Sequence, residues 1–136
     1  MIKPIMKSEF FLRLPSEDAG PDDAATGQDL LDTLLEHEHE CVGLAANMIG
    51  VRKRIICVKD GNRTLLMYNP QILEQVNAYQ TSEGCLSLIG ERPCTRYRRI
   101  KVEYLDENFV HRIKNFSGYT AEIIQHEIDH CCGIVI

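Results

Sequence analysis

The apolar positions between residues 26 and 40 recur at the spacing of an α-helix. Leucines occupy positions 30, 31, 34 and 35, and polar residues fill most of the positions around them. This pattern predicts an amphipathic helix that packs one face on the core. The preceding stretch, through Asp23, mixes short apolar pieces with Pro15, Gly20 and Pro21, and it predicts an extended arm or strand followed by a loop.

Runs rich in β-branched and aromatic residues predict several strands in the middle of the chain. An Asn69-Pro70 step separates two of these runs, and Asp106-Glu107-Asn108 between two others suits a hairpin turn. The predicted strands are 54–59, 64–68, 72–76, 99–105 and 109–114.

A final helix is predicted to run through His130, with Ser117 or Thr120 as its cap and Gly133 at its end. The order of helix, strands and helix predicts an α+β fold, in which mainly antiparallel β-sheets pack around the C-terminal helix. The length of 136 residues favours a single domain spanning residues 1–136.

Composition excludes several classes of protein. Apolar residues make up 44% and charged residues 26% of the chain, as in ordinary globular domains. The formal net charge of −5 argues against a specific nucleic-acid partner. No stretch reaches the roughly 18 apolar residues of a membrane span, and the N-terminus lacks the apolar core of a signal peptide. We therefore expect a cytoplasmic location with no membrane contact. The six cysteines are expected to be free thiols, most of them buried.

The segment from Gln125 to His130 carries the clearest chemistry, because it reads H-E-x-x-H. On a helix, His126 and His130 share one face and can bind one metal ion, while Glu127 lies close enough to exchange a proton with water there. The alternative is a polar helix end with two solvated histidines. Cys85 offers a thiolate as a third ligand, and three protein ligands leave the fourth position that hydrolysis needs.

Other candidate ligands are weaker. Cys94, Cys131 and Cys132 compete for the metal, but no C-x-x-C spacing favours a closed structural zinc site. His37 and His39 are best interpreted as a solvated helix end. Four nearby arginines form either a solvated strand edge or a site for an anionic substrate backbone; they are Arg92, Arg96, Arg98 and Arg99.

Three segments together resemble the peptide deformylases, which remove the formyl group from the N-terminal methionine of new bacterial and organellar polypeptides. The segments occur in the family's order and with similar spacing, and the resemblance extends from about residue 26 to the end. They are Gly43-Leu44-Ala45-Ala46, Glu83-Gly84-Cys85-Leu86-Ser87 and His126-Glu127-Ile128-Asp129-His130.

The resemblance implies a role for each matching residue. Cys85, His126 and His130 would be the metal ligands, Glu127 the general acid and base, and the Leu86 N–H an oxyanion donor. An Arg96–Asp129 ion pair would brace the second histidine. The pocket for the methionine side chain would be lined by Val42, Gly43 and Leu44, by Met48, and by Tyr119 and Ile123.

The resemblance also implies the cofactor and partners. The family uses one divalent ion, ferrous iron in the cell, and zinc, nickel or cobalt can occupy the same site. The partners would be N-formylmethionyl peptides, on nascent chains near the ribosome.

The chain departs from the family pattern at three points. Met48 stands where the family has a glutamine that donates to the forming oxyanion, and loss of such a donor typically costs about 10²–10³ in rate. Asn47 is an alternative donor, one residue out of register. Glu122 replaces an apolar residue on the pocket face, which predicts altered preference or a raised pKa. The chain ends six residues after His130, which suggests a trimmed variant that accompanies a longer paralogue.

These departures keep two alternative functions open. One is a paralogous metallohydrolase that acts on a different amide or formyl group. The other is a non-catalytic metal protein that binds formyl-peptides, although Glu127 argues against it.

Overall fold

A computed structural model describes all 136 residues and arranges five strands into one antiparallel sheet. The sheet order follows the chain, from β1 at one edge to β5 at the other. The strands are β1 (Gly43–Ala45), β2 (Ile55–Asp60), β3 (Arg63–Cys85), β4 (Leu88–Leu105) and β5 (His111–Ser117).

Three α-helices and two 3₁₀ helices complete the fold. The α-helices are α1 (Glu9–Leu12), α2 (Ala24–Glu36) and α3 (Gly118–Cys131), and the 3₁₀ helices are Pro21–Asp23 and Ala46–Ile49. Helix α3 packs on β1, β2 and β4, and it is the helix that carries H-E-x-x-H. The predicted α+β class with an antiparallel sheet and a C-terminal helix is confirmed.

Strand β2 lies at the centre of the core. Its first four residues, Ile55 to Val58, are all buried, because α2 and α3 both contact this strand. A strand covered on both faces reads as a continuous apolar run instead of an alternating one. Burial on both faces therefore explains the continuous apolar run that predicted a strand over residues 54–59.

Strand β3 is longer than predicted, because it continues through the Asn69-Pro70 step. Asn69 adopts a left-handed φ of 54°, and its side-chain amide pairs with both backbone groups of Ala19 at 2.7 and 2.9 Å. Register shifts between Tyr68 and Gln71 absorb the irregularity, so pairing with β4 resumes beyond it. The predicted separation into two strands at this point is therefore wrong.

The N-terminal stretch also differs from the prediction. It forms the short helix α1, whose first turn is capped by the Ser8 hydroxyl at 3.2 Å from the Phe11 N–H. Helix α2 ends at Glu36, earlier than predicted, and the four residues after it form turns. The predicted turn between β4 and β5 is confirmed, with Asp106 accepting from Asn108 and Val110.

Helix α3 begins and ends at the predicted residues, but its cap lacks the expected side-chain hydrogen bond. Ser117 occupies the cap position without a side-chain hydrogen bond, and the Thr120 hydroxyl donates to Asp60 at 2.9 Å. At the other end, Gly133 has a φ of 75°, and the next residue, Ile134, donates its N–H to the Asp129 carbonyl at 2.9 Å.

None of the helices combines the length and apolar character required to cross a membrane.

Replacement of Gly133 by alanine should destabilise the protein more than the same change at Gly61. Both glycines have left-handed φ values, which cost alanine about 1–2 kcal/mol. A Cβ at Gly133 would also lie 2.4 Å from the Arg13 carbonyl oxygen, whereas a Cβ at Gly61 would meet nothing within 4 Å. Urea denaturation of the two variants measures the difference. Equal losses would contradict the close packing of residue 133 against the N-terminal segment.

Candidate active site

Three potential metal ligands converge between the end of β3 and helix α3. Cys85 ends β3, and His126 and His130 lie one turn apart on α3. The Cys85 Sγ lies 3.3 Å from the His130 Nε2, and the three donor atoms lie within 4.8 Å of one another. A thiolate with two imidazoles is a donor set that suits first-row divalent metals. These residues therefore fit one metal ion.

A buried carboxylate orients the first histidine. Glu83 accepts a hydrogen bond from His126 Nδ1 at 2.8 Å and from Arg96 Nη2 at 2.7 Å. Arg96 also donates to Asp129 at 2.7 Å. Because Nδ1 of His126 is engaged by Glu83, its Nε2 is left for the ligand position.

These contacts set the charges of the network. Burial opposes the charge of Glu83, but hydrogen bonds from His126 and Arg96 lower its pKa well below the ordinary range. Burial likewise opposes the charge of His126, yet its hydrogen bonds to Cys85 and Glu83 raise its pKa to about 10. Burial and the neighbouring charge of His126 lower the pKa of His130 to about 3. A metal ion must therefore displace a proton from His126, as is usual for histidine ligands.

The Arg96–Asp129 ion pair forms, but the expected brace on the second histidine does not. The carboxylate in contact with a histidine is Glu83, at His126, whereas the Nδ1 of His130 is buried without a hydrogen-bond partner. This role of Glu83 was not predicted, although residues two apart in a strand face the same side, which places Glu83 beside Cys85.

Glu127 lies at the closest approach of α3 to β1. Its side chain is 4% exposed, and its Oε1 atom has no hydrogen-bond partner. A Cβ on Gly43 would lie 2.7 Å from the Ile123 Cγ2 and 2.9 Å from the Glu127 Oε2, so only glycine fits there. Burial is the main cause that raises the pKa of Glu127 to about 7, with the charge of His126 acting in the opposite direction.

A pocket of about 620 Å³ opens over Cys85, His126 and Glu127. Five of the six predicted pocket residues line it, and Leu86 lines the hairpin side; the five are Val42, Gly43, Met48, Tyr119 and Ile123. Leu44 is fully buried in the core and does not line the pocket, because it points away from the cavity in a strand with buried residues throughout. Three further residues line the pocket although no sequence pattern indicated them: Glu40, Ser82 and Glu91.

Met48 and Asn47, the two residues considered at the position of the oxyanion donor, have different environments. Met48 is 1% exposed and accepts a weak hydrogen bond from the Ala45 N–H through its sulfur, at 3.4 Å. Asn47 does not line the pocket, because its amide donates to the His130 carbonyl at 2.9 Å. Asn47 therefore braces helix α3 and cannot replace the missing glutamine donor.

Glu122 lines the pocket and is half-buried, as expected from its position one turn before His126. Burial and the neighbouring Glu83 carboxylate raise its pKa.

The remaining predicted candidates lie outside this group. All six cysteines are free, but only Cys57 and Cys131 are buried, so the expectation that most are buried is wrong. Cys94, Cys131 and Cys132 do not join the metal ligands. His37 bonds to Glu40 in an exposed turn. No arginine lines the pocket; Arg96 is buried beside Glu83, and Arg98 lies over the Tyr79 ring.

Comparison with known proteins identifies the family. A family model described as polypeptide deformylase matches residues 4–136. A peptide deformylase of Clostridium beijerinckii is 52% identical over 136 residues, which is 100% of both chains. The chain belongs to the peptide deformylase family. The Clostridium relative has the length of this chain, and the longer paralogue expected from the sequence stays a prediction.

Solved deformylases share the fold. A class I type b peptide deformylase from Acinetobacter baumannii with bound Met-Ala-Ser superposes with a TM-score of 0.89 at 28% identity, covering 99% of this chain and 97% of that one. The actinonin-bound structure of the same enzyme gives a TM-score of 0.88 at 30% identity, covering 99% and 95%. The Acinetobacter enzyme therefore binds Met-Ala-Ser and actinonin.

Glu83→Gln should weaken binding of a divalent ion by about 10- to 100-fold, because the neutral amide holds His126 less firmly. Titration with a competing chelator measures the affinity. Glu91→Gln is the matched control, since Glu91 also lines the pocket but is exposed. Unchanged affinity in Glu83→Gln would show that the histidine does not need this brace.

Proposed function

We propose that Cys85, His126 and His130 hold one divalent metal ion with which this deformylase removes the formyl group from the N-terminal formylmethionine of newly made polypeptides. The observation that carries the proposal is the position of the buried Glu127 carboxylate in the same pocket as Cys85 and His126, whose donor atoms converge with that of His130. A binding protein would have no use for an unpartnered buried carboxylate there, so the non-catalytic alternative is not favoured.

The bound ion supplies Lewis acidity, which makes a water molecule a nucleophile near neutral pH. Glu127 takes the proton of the attacking water and gives it to the leaving amine as the C–N bond breaks. Its burial suits both steps, because a carboxyl with a pKa of about 7 exchanges protons readily near neutrality. The methionine side chain of the substrate packs against the apolar wall formed by Val42, Tyr119 and Ile123.

The Leu86 N–H stabilises the charge that develops on the formyl oxygen. Met48 also lines the pocket, and its thioether has no proton to donate. The charge on the formyl oxygen therefore depends more on the Leu86 N–H than it would if position 48 held a glutamine.

We further propose ferrous iron as the ion in the cell, with zinc, nickel or cobalt able to occupy the same ligands. The substrates are nascent chains near the ribosome in the bacterial cytoplasm, and residues 1–136 act as one domain. Glu122 gives a reason to test a different amide substrate, because a half-buried carboxylate stands where an apolar residue is usual.

The decisive experiment compares formyl-Met-Ala-Ser with acetyl-Met-Ala-Ser, using anaerobically prepared, ferrous-loaded protein. Release of formate from the first peptide only is the expected result. Cleavage of the acetyl peptide at a similar rate would support the altered-substrate alternative. No cleavage of either, with metal demonstrably bound, would overturn the proposed activity.

Glu127→Gln should abolish turnover while the metal stays bound, because the amide keeps the volume of the side chain but cannot take the proton. Metal content and formate release are measured on the same preparation. Glu91→Gln is the control, because it removes one negative charge from the pocket without changing Glu127. Activity close to that of the unmodified protein would rule out Glu127 as the general base.

Met48→Gln should raise the rate on formyl-peptides by about tenfold or more, since a donor to the oxyanion is typically worth about 10²–10³. Met48→Leu is the control, because it changes the side chain without adding a donor. The two variants are compared by kcat/KM. An equal response of both would mean that the oxyanion does not depend on a donor at this position.

A further inference from the structure

The N-terminal segment Met6–Glu9 contacts both walls of the pocket from outside. The Met6 N–H donates to the Met48 carbonyl at 2.7 Å, on the first-motif wall. The Lys7 Nζ donates to the Leu86 carbonyl at 2.8 Å, and Glu9 accepts from Arg92 at 3.4 Å, on the hairpin wall. A single short segment therefore links the first-motif wall of the pocket to its hairpin wall.

This segment is itself held in place at both ends. Before it, the Lys3 N–H donates to the Thr33 hydroxyl on α2 at 3.0 Å. At its other end, Ser8 within the segment caps α1, and Leu12 at the end of α1 is fully buried in the core. Lys7 thus extends from an anchored backbone, and its ammonium takes part in none of the ion pairs of the protein.

The turn that Lys7 contacts is held by packing, but its tip lies outside the strand ladder. We call residues 85–88 the Cys85 turn; Cys85 pairs with Leu88, so Leu86 and Ser87 lie outside the ladder. The register between β3 and β4 shifts directly before it, between Gly84 and Cys85. Leu86 and Leu88 pack against the core, and Ser87 is 2% exposed. The Lys7 hydrogen bond adds a restraint on the backbone of Leu86.

We propose that Lys7 is a positioning residue for the oxyanion donor of Leu86. The two planar peptide units on either side of Leu86 share its Cα, so their relative orientation depends on only two dihedral angles. A hydrogen bond that fixes the Leu86 carbonyl therefore restricts the direction of its N–H. This restraint has particular value here, because Met48 supplies no second side-chain donor. The inference rests on the proposed function.

The test compares Lys7→Met with Lys7→Arg in the ferrous-loaded protein. Lys7→Met removes the donor, and we expect kcat on formyl-Met-Ala-Ser to fall about three- to tenfold, the factor that an ordinary hydrogen bond is worth, with KM little changed. Lys7→Arg keeps a donor and should restore most of kcat. Lys3→Met is the control, because it removes the same charge four residues earlier, where Lys3 lies near Asp29 instead of the hairpin, and it should leave kcat unchanged.

A second measurement does not depend on turnover. Amide hydrogen exchange in the Cys85 turn should be faster in Lys7→Met than in Lys3→Met or the unmodified protein, while exchange in α3 stays the same. Unchanged kcat and unchanged exchange in Lys7→Met would overturn the inference. Failure of the proposed function is distinguishable, since the unmodified protein would then release no formate although the exchange difference persisted.

Discussion

The hydrogen-bonded contact of Glu83 with Arg96 and His126 is the interaction on which the site depends most. Glu83 and Arg96 are 8% and 4% exposed, so each would be a costly buried charge without the other. Together they form a bidentate pair, and the remaining acceptor capacity of Glu83 fixes His126. Arg96 extends the network to Asp129 on α3. The contact therefore ties β3 and β4 to the helix that supplies both histidines.

The architecture around this contact gives each group its place. Alternation along β3 puts Glu83 and Cys85 on one side of the strand, and the helical period puts His126 and His130 on one face of α3. Gly43 lets β1 approach that helix so closely that the Glu127 carboxylate is enclosed and its pKa is raised. Asn47 holds the end of the same helix through the His130 carbonyl. The reactive groups thus lie on regular elements of the fold, and the Cys85 turn is the exception.

Local patterns were sufficient to predict the parts of the structure that are set by neighbours in sequence. The leucines of α2, the buried run of β2 and the H-E-x-x-H helix all carry a strong periodic or compositional signal. The combination of Cys85 with the two histidines was accessible because the motifs resemble those of a known family.

The errors arose where long-range contacts override local preference. Asn69-Pro70 looks like a strand break, but a bulge and a side-chain pairing with Ala19 let β3 continue. Leu44 and Asn47 belong to a segment whose every side chain is buried, so sequence alone could not separate those that face the pocket from those that face the core. The Lys7 contact joins residues 79 positions apart and has no signature in either segment.

The most direct test of the account is X-ray absorption at the metal edge of protein loaded with one equivalent of zinc. The account predicts one sulfur and two imidazole nitrogens from the protein, with the remaining coordination supplied by light atoms from solvent. The sulfur contribution should disappear in Cys85→Ser and persist in Cys41→Ser. Two or more sulfur neighbours, or a sulfur signal that survives in Cys85→Ser, would contradict the assignment of this site.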